Sequence, residues 1–335
     1  MKEKIKNSRI INFIKYNIGY IIFLMLLIVV LNIPLPYYIM APGGIIDISN
    51  RINIEGKSEM EGTLNLLYVT EYEANVTTML LSYIIKDWDT EKIEEMQVSN
   101  ETMEEISVRN KVMLNNSMQS AILVAYQKAG KTVNIKDKEN IVIATTKQNE
   151  NLKIGDIILK ANGVEIDNMD TLKTIISNTP VGKSITMDIK RDGKQQSVSC
   201  TVKEEDNNKV IGIMMITNYI YEVDPEVELE FKSSEGGSSG GLMIALNIYN
   251  SLISEDITKG RKIAGTGTIE VDGTVGAIDG VKYKLIGAVN NGMEIVLVPK
   301  ENYEEAMKVK EEYNFDIEIV SVNTFDDALN YLQNS

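Results

Sequence analysis

Residues 235–253 read EGGSSGGLMIALNIYNSLI, and this stretch decides how the C-terminal part of the chain is interpreted. A glycine-rich turn opens a segment whose apolar residues recur every three to four positions, which predicts an α-helix. Two serines, Ser238 and Ser239, lie in the turn. The unpaired N–H groups and positive potential of a helix N-terminus suit a developing oxyanion, whereas helix capping is the plainer interpretation of the same residues.

A second segment, residues 264–288, reads AGTGTIEVDGTVGAIDGVKYKLIGA. It predicts a strand, a turn at Asp272-Gly273, and a helix that opens with two lysines, Lys282 and Lys284. The chain contains no histidine, so a serine nucleophile would need a different general base. A lysine can take that proton only while its amine is neutral, which requires apolar neighbours that keep water away.

These segments resemble the proteolytic domain of Lon proteases. The matching residues occur in the same order along the chain and are Glu235-Gly236-Gly237-Ser238-Ser239-Gly240, Thr266-Gly267-Thr268-Ile269, the pattern G-x-V-x-x-I-x-G-V-K-x-K from Gly273 to Lys284, and Val298-Pro299-Lys300-x-Asn302. The agreement of separate motifs in order and spacing makes the resemblance specific.

The resemblance implies a catalytic dyad in which Ser238 is the nucleophile and Lys282 is the base. Motif position selects Ser238 over Ser239 and Lys282 over Lys284. Thr266 lies on the strand that flanks the dyad, where it would hydrogen-bond the lysine. The other candidates for support of the oxyanion are Gly236, Gly237 and Ser239. The resemblance implies neither a cofactor nor a metal ion.

Residues 132–204 predict a small α+β domain, with tight turns at Asn162-Gly163 and Asp192-Gly193 and one helix between them. This segment resembles the PDZ domains of bacterial proteases, through Leu152, Gly155, Asp156, Ile157, Asn162 and Gly163. The resemblance implies peptide or protein substrates held in a groove by strand addition. A spacer domain without a ligand is the alternative.

The N-terminal part of the chain carries no charged residue between Tyr16 and Ile46, and five basic residues precede that run within residues 2–15. Residues 16–36 are long enough to span a bilayer as a helix. The excess of positive charge before the span predicts a cytoplasmic tail at residues 1–15 and an extracytoplasmic body. A cleaved signal peptide and a buried core helix are the alternatives.

The composition excludes several classes of function. The chain has 48 acidic and 34 basic residues and a net charge of −14, which disfavours nucleic-acid binding. The single cysteine, Cys200, excludes an intrachain disulfide. Gly182-Lys183-Ser184 does not complete a phosphate-binding loop, because Ser177 stands where the motif requires glycine. We therefore expect neither nucleic acid nor nucleotide as a partner.

The sequence thus predicts an α+β protein with a transmembrane helix, a PDZ-like α+β domain and a Lon-type α/β proteolytic domain. Helical periodicity also predicts helices over residues 73–88 and 117–131. The predicted parts are residues 1–15 as tail, 16–36 as transmembrane helix, 37–131 as an extracytoplasmic region packing with the protease domain, 132–204 as the PDZ-like domain and 205–335 as the proteolytic domain.

This organisation resembles bacterial membrane-anchored PDZ–Lon proteases of the YlbL/SepM type. It implies an ATP-independent serine endopeptidase, held by the cytoplasmic membrane, that processes exported peptides or flexible segments of secreted and membrane proteins. The alternative is a non-catalytic, membrane-tethered PDZ adaptor with an inactive Lon-like domain. The sequence leaves the oligomeric state open.

Overall fold

A computed structural model describes residues 2–97 and 101–335, with the side chains of residues 13–95, 97 and 101–335. Residue 1 of the predicted tail and residues 98–100 of the predicted N-terminal region therefore lie outside the described residues. The chain divides into two units. One comprises Met1–Ala41 and Thr70–Met96, and the other comprises Pro42–Val69 and Gln97–Ser335.

The helices and strands of the described residues alternate along most of the chain. The helices are α1 (Lys2–Leu31), α2 (Val76–Ser82), α3 (Ile93–Met96), α4 (Met103–Lys128), α5 (Met169–Asn178), α6 (Gly241–Leu252), α7 (Val281–Asn290), α8 (Tyr303–Tyr313) and α9 (Phe325–Asn334). The strands are β1 (Pro34–Asp47), β2 (Ile52–Ile54), β3 (Thr63–Asn75), β4 (Asp89–Lys92), β5 (Thr132–Thr145), β6 (Ile157–Ala161), β7 (Val164–Glu165), β8 (Ser184–Arg191), β9 (Lys194–Thr201), β10 (Lys203–Glu205), β11 (Asn208–Val210), β12 (Ile213–Asp224), β13 (Val227–Leu229), β14 (Lys262–Gly265), β15 (Thr268–Ile269), β16 (Val275–Gly276), β17 (Ile295–Pro299) and β18 (Glu318–Val322).

The first unit contains the apolar helix α1, in which Phe13–Leu31 is long and apolar enough to cross a membrane. The prediction that this helix reaches residue 36 is wrong, because α1 ends at Leu31 and β1 begins at Pro34. Proline cannot donate the helical hydrogen bond and disfavours a helical residue before it, so the helix stops short of Pro34.

The helix predicted from periodicity over residues 73–88 is also shorter than expected. Strand β3 continues to Asn75, and α2 occupies only Val76–Ser82. The Asn75 side chain accepts a hydrogen bond from the Thr78 N–H, and the Thr78 hydroxyl accepts one from the Asn75 N–H. This capping box fixes the start of the helix, because it satisfies N–H groups that have no partner inside the helix.

The second unit is built on a parallel sheet in the order β18-β17-β14-β3. Gly265 on β14 is paired with Leu66 on β3 and with Leu297 on β17. Helix α6 packs against this sheet and is buried from Gly241 to Ser251, which explains its nearly uncharged, apolar sequence.

Helix α4 packs against α6 and is longer than the sequence predicted, since the expected helix covered only residues 117–131. Its start is fixed by a capping box between Thr102 and Glu105. A side chain at Gly241 would bring Cβ within 2.6 Å of the Ser117 hydroxyl oxygen. The glycine therefore lets the two helices approach closely at the N-terminus of α6.

A second sheet has the order β12-β5-β6-β8-β9 around a core that includes Leu172 and Met187. Its hairpins turn where the sequence predicted, and Asn162-Gly163 and Asp192-Gly193 all have positive φ. Strand β12, within the range predicted for the proteolytic domain, pairs with β5 along its full length.

Candidate active site

The candidate site lies at one edge of the parallel sheet. Strand β14 leads into Thr266 and Gly267, β17 ends at Pro299, and β3 passes beside them through Leu66 and Val69. The carboxyl ends of parallel strands form one edge of a sheet, and ligand sites in open α/β sheets lie at that edge. The glycine-rich serine motif and the lysine-bearing motif of the sequence both lie near this edge.

The glycine-rich turn is hydrogen-bonded to the end of β14. The carbonyl oxygen of Ser239 accepts hydrogen bonds from the Gly267 N–H at 2.7 Å and from the Thr266 hydroxyl at 3.0 Å. The Leu242 N–H donates to the Gly267 carbonyl at 3.1 Å. These bonds fix the serine turn and the first residues of α6 on the sheet edge.

Helix α4 holds the other side of the same turn. The Ser117 hydroxyl donates to the Ser238 carbonyl oxygen at 3.0 Å, and the Gly237 N–H donates to the Asn110 carbonyl oxygen at 2.9 Å. Asn110 and Ser117 are seven residues apart and therefore lie on one face of the helix. Gly237 adopts φ +88°, a conformation that favours glycine, so the sharp bend before Ser238 depends on this residue.

The lysine-bearing helix α7 begins at a left-handed glycine. Gly280 is the N-cap residue with φ +74°, and a Cβ there would lie 2.7 Å from Cγ2 of Val69. The Asn302 side chain holds the preceding loop, since it accepts from the Ile278 N–H and donates to the Ile278 carbonyl, both at 2.9 Å. The contact with Val69 and the hydrogen bonds of Asn302 therefore fix the orientation of the start of α7.

The two lysines of α7 differ in exposure. Lys282 is partly exposed in the first turn, with its Nζ 5.4 Å from the centroid of the Tyr283 ring, whereas Lys284 is only 4% exposed. The neighbouring residues Val281 and Leu285 are buried, so the backbone of Lys282 lies beside apolar side chains. Asp279, three residues before Lys282, is exposed.

Strand β3 lies next to both motifs, the serine turn and the start of helix α7. A Cβ on Gly240 would collide with the Leu66 side chain, and one on Gly280 would collide with Val69. Leu66 and Val69 are three residues apart, which corresponds to about 10 Å along a strand. Because an odd spacing places these two side chains on opposite faces of the strand, the N-termini of α6 and α7 lie on opposite faces of the sheet, next to the same short piece of β3.

The supporting residues predicted from the sequence have different roles in the geometry. The Thr266 hydroxyl donates to the Ser239 carbonyl oxygen and so positions the turn. The hydroxyl oxygen can also accept a hydrogen bond, so the hydrogen bond between Thr266 and the lysine stays a prediction. The Gly237 N–H donates to the Asn110 carbonyl oxygen and is therefore not available to donate to an oxyanion. Within residues 2–97 and 101–335, the N–H groups of Ser238 and Ser239 donate no hydrogen bond, so these two remain available.

The two sequence motifs gave no indication that α4 helps to position the serine turn. Asn110 and Ser117 lie far from either motif along the chain, and their roles depend on how α4 packs. The sequence feature that could have indicated this contribution is a pair of small polar residues, Ser117 and Ser120. Both are buried in the second half of α4. Small residues at such positions commonly mark close approach of another backbone.

An ion pair lies at the start of the serine turn, three residues before Ser238. Glu235 accepts a hydrogen bond from the Arg51 guanidinium at 2.6 Å, and Arg51 also lies 5.4 Å from the centroid of the Phe231 ring. Partial burial raises the pKa of the Glu235 carboxyl, but the hydrogen bonds from Arg51 and from the Lys232 N–H outweigh it and hold that pKa below its ordinary value.

Comparison with known proteins identifies both domains. Residues 232–334 match the family model of the Lon protease (S16) C-terminal proteolytic domain, and residues 120–202 match that of the PDZ domain. The chain therefore contains a Lon-type proteolytic domain and a PDZ domain in an α+β architecture. The PDZ match begins within α4, so the helix that holds the serine turn is shared with the PDZ segment.

Relatives of the proteolytic domain carry the name Lon protease. The chain is 38% identical over 96 residues to Lon protease of Campylobacter jejuni, which covers 28% of this chain and 12% of that protein. It is 29% identical over 118 residues to Lon protease 2 of Borreliella burgdorferi, which covers 34% of this chain and 15% of that protein. The similarity thus spans a small part of each relative's length.

A solved structure resembles the PDZ segment. It is the PDZ domain of the SdrC-like protein from Listeria monocytogenes, with 17% sequence identity and a TM-score of 0.22, covering 24% of this chain and 90% of that chain. The assignment of the PDZ domain rests on the family model and on the strand order, since both of these similarity values are low.

Replacing Gly280 by alanine should destabilise the protein and lower its proteolytic activity. The substitution forces a side chain into a left-handed conformation, which costs about 1–3 kcal/mol, and also into Val69. Gly292 is the matched control, because it has φ +67° at the other end of α7 with open space around it. Thermal unfolding and peptide turnover measure both effects, and equal losses for the two variants would contradict the role of the Val69 contact.

Ser117→Ala should lower kcat several-fold and leave KM nearly unchanged. The lost hydrogen bond positions the Ser238 backbone and not the substrate, and its net contribution is about 1 kcal/mol. Ser120→Ala is the control, because Ser120 is equally buried on the same helix. Steady-state kinetics of both variants provide the test. A change confined to KM, or the same loss in Ser120→Ala, would show that Ser117 does not act by positioning the serine turn.

Proposed function

We propose that the protein is a serine endopeptidase in which Ser238 and Lys282 form the catalytic dyad and which cleaves without nucleotide. The proposal is carried by one observation. The serine turn and the lysine helix, 44 residues apart in sequence, are each fixed against β3 through Gly240 and Gly280. The Lon-type domain supports the reaction class, and the absence of a Walker A motif from the sequence supports independence from ATP.

The mechanism is acyl transfer. The Ser238 Oγ attacks the scissile carbonyl carbon while the Lys282 Nζ takes the hydroxyl proton, and the backbone N–H groups of Ser238 and Ser239 stabilise the oxyanion. The protonated lysine then gives its proton to the leaving amine as the peptide C–N bond breaks. Water, deprotonated by Lys282, hydrolyses the acyl-enzyme and regenerates the free serine.

We propose flexible segments as the substrates, because cleavage without nucleotide supplies no energy to unfold a folded protein. The PDZ domain is a binding module for peptides or proteins. Among the strands of residues 2–97 and 101–335, β12 is at the end of its sheet and is paired with a strand on one side, namely β5. Part of the other side is used by α4, since Asn116 donates to the Thr217 carbonyl and the Gln119 side chain accepts from the Tyr219 N–H, both at 2.8 Å.

We assign peptide binding to the remaining edge of β12, around Ile213–Met215. An extended peptide would add there as a strand and end against α4. Because α4 also holds the carbonyl of Ser238, a peptide at this edge is positioned to influence the serine turn. This arrangement favours a PDZ domain that presents or regulates substrate over one that acts as a passive spacer.

The membrane placement in this proposal follows from α1. The apolar segment Phe13–Leu31 would span the cytoplasmic membrane, and the basic residues before it would remain in the cytoplasm. The protease would then act outside that membrane, on exported peptides or on flexible parts of secreted and membrane proteins.

The competing function is a non-catalytic PDZ adaptor. The two are separated by incubating the full-length protein, in detergent micelles, with casein and no nucleotide, and by identifying fragments by mass spectrometry. Fragmentation that depends on Ser238 supports the protease. Binding of casein peptides without any fragmentation supports the adaptor.

A further inference from the structure

The first unit has an exposed apolar segment that the proposed activity does not use. Residues 76–85 read VTTMLLSYII and contain no charge. They form α2 and the turn that follows it. Tyr83 is 82% exposed and Ile84 is 80% exposed, and three further apolar side chains, Leu80, Leu81 and Ile85, are exposed beside them. Adjacent exposed apolar residues of this kind mark a surface that contacts a membrane or another protein.

The segment is tied to the end of the apolar helix α1. The Val76 N–H donates to the Ile33 carbonyl oxygen at 3.2 Å, and the Thr77 hydroxyl donates to the Leu31 carbonyl oxygen at 2.9 Å. Leu31 is the last residue of the candidate span Phe13–Leu31. The start of α2 is therefore held at the same level as the point where the span would leave the hydrocarbon core.

We infer that residues 80–85 insert into the interfacial layer of the bilayer that α1 spans, and this inference rests on the proposed membrane anchoring. The occupant is lipid, because the segment continues the apolar surface of α1 at its C-terminal end. The first charged residue after the segment is Lys86, followed by Asp87 and Asp89, so the segment reaches the interface without crossing the membrane.

Aromatic residues fit the same placement. Tyr83 is exposed within the segment, and Trp88, the single tryptophan of the chain, follows it and packs edge-on against Tyr72 with ring centroids 5.7 Å apart. Tyrosine and tryptophan are enriched at membrane–water interfaces, where an apolar ring and a polar tip are both accommodated. In the turn after α2, the Ile84 and Ile85 N–H groups donate to the Leu81 carbonyl oxygen at 2.9 and 2.8 Å, so these polar groups are paired within the segment, as contact with lipid requires.

The test uses tryptophan fluorescence of the full-length protein in nanodiscs made from lipids with brominated acyl chains. The reporter variant carries Ile84→Trp and Trp88→Phe, so that the only tryptophan stands at the exposed tip. The reference variant carries Phe23→Trp and Trp88→Phe, with the probe in the middle of α1. Each variant is compared with itself in nanodiscs of unbrominated lipid.

We expect quenching in both variants, with bromines near the headgroups most effective for residue 84 and deep bromines most effective for residue 23. Quenching at residue 23 without quenching at residue 84 would overturn the inference and leave the anchoring intact. Absence of quenching at both positions would overturn the anchoring itself. If residue 84 is unquenched and cysteine introduced there cross-links two copies, the surface is a contact between protein chains and the inference is wrong.

Wild-type Trp88 provides a second measurement that needs no substitution. Shallow bromines should quench it in the native protein. Tyr83→Ser with Ile84→Ser should reduce that quenching, because the polar pair weakens insertion. Both side chains are exposed, so the substitutions leave the packing of the unit in place. Equal quenching of Trp88 with and without the serine pair would show that residues 83 and 84 do not carry the contact.

Discussion

Ser238→Ala is expected to abolish cleavage of casein in the absence of nucleotide, whereas Ser239→Ala should retain it within about tenfold. Removing a nucleophilic serine lowers kcat by about 10⁶-fold in a well-studied serine protease, and we expect a loss of at least about 10⁴-fold here. The loss is expected because, in the proposed mechanism, the Ser238 Oγ carries the acyl group. Fragments are identified by mass spectrometry after equal incubation of the wild type and both variants.

The two serines make a matched pair for this measurement. They are adjacent, both are partly exposed, and each contributes a backbone carbonyl that is fixed by other parts of the protein. Loss of either hydroxyl should therefore change the free energy of unfolding by less than about 1 kcal/mol. Identical fragments from the wild type and Ser238→Ala would mean that the nucleophile is misassigned or that a contaminant cleaves the casein.

Lys282→Met and Lys282→Arg are both expected to lose turnover by at least about 10³-fold, while each remains folded. Methionine removes the amine and keeps the length of the side chain. Arginine keeps the positive charge but remains protonated in proteins, so it cannot accept the serine proton. The arginine variant therefore separates a general base from a fixed positive charge. Turnover by Lys282→Arg near the wild-type rate would refute the role of base.

Lys284→Met is the control for this prediction, because Lys284 lies on the same helix and motif position alone selected Lys282 over it. The two side chains cannot share a helix face at this spacing. Lys284 is almost completely buried, so its replacement tests packing, whereas Lys282 is partly exposed in the first turn of α7. We expect Lys284→Met to keep turnover within about tenfold, with its main effect on thermal stability. A larger loss of turnover in Lys284→Met than in Lys282→Met would exchange the two assignments.

Local patterns in the sequence predicted much of this protein correctly. The uncharged apolar run predicted the helix that contains Phe13–Leu31, and Asn-Gly and Asp-Gly predicted the two hairpin turns of the PDZ domain. These features depend on residues close together in the chain, such as apolar side chains in one run or glycine in a left-handed turn. The serine and lysine motifs were found for the same reason.

Predictions failed where partners from distant parts of the chain decide the structure. Residues 73–75 continue β3 instead of starting a helix, and α4 begins at Met103, well before its apolar half. Strand pairing and packing against other elements override local propensity in such segments, and their sequences are ambiguous when taken alone.

The sequence by itself determined which residues are candidates for catalysis, because their types and order are local properties of two motifs. Only the tertiary structure decided what surrounds them. The parallel sheet brings β3 next to Gly240 and Gly280, and α4 supplies Asn110 and Ser117 to the serine turn. Those contacts join segments more than a hundred residues apart, and their partners are set by sheet order and helix packing, which no local pattern encodes.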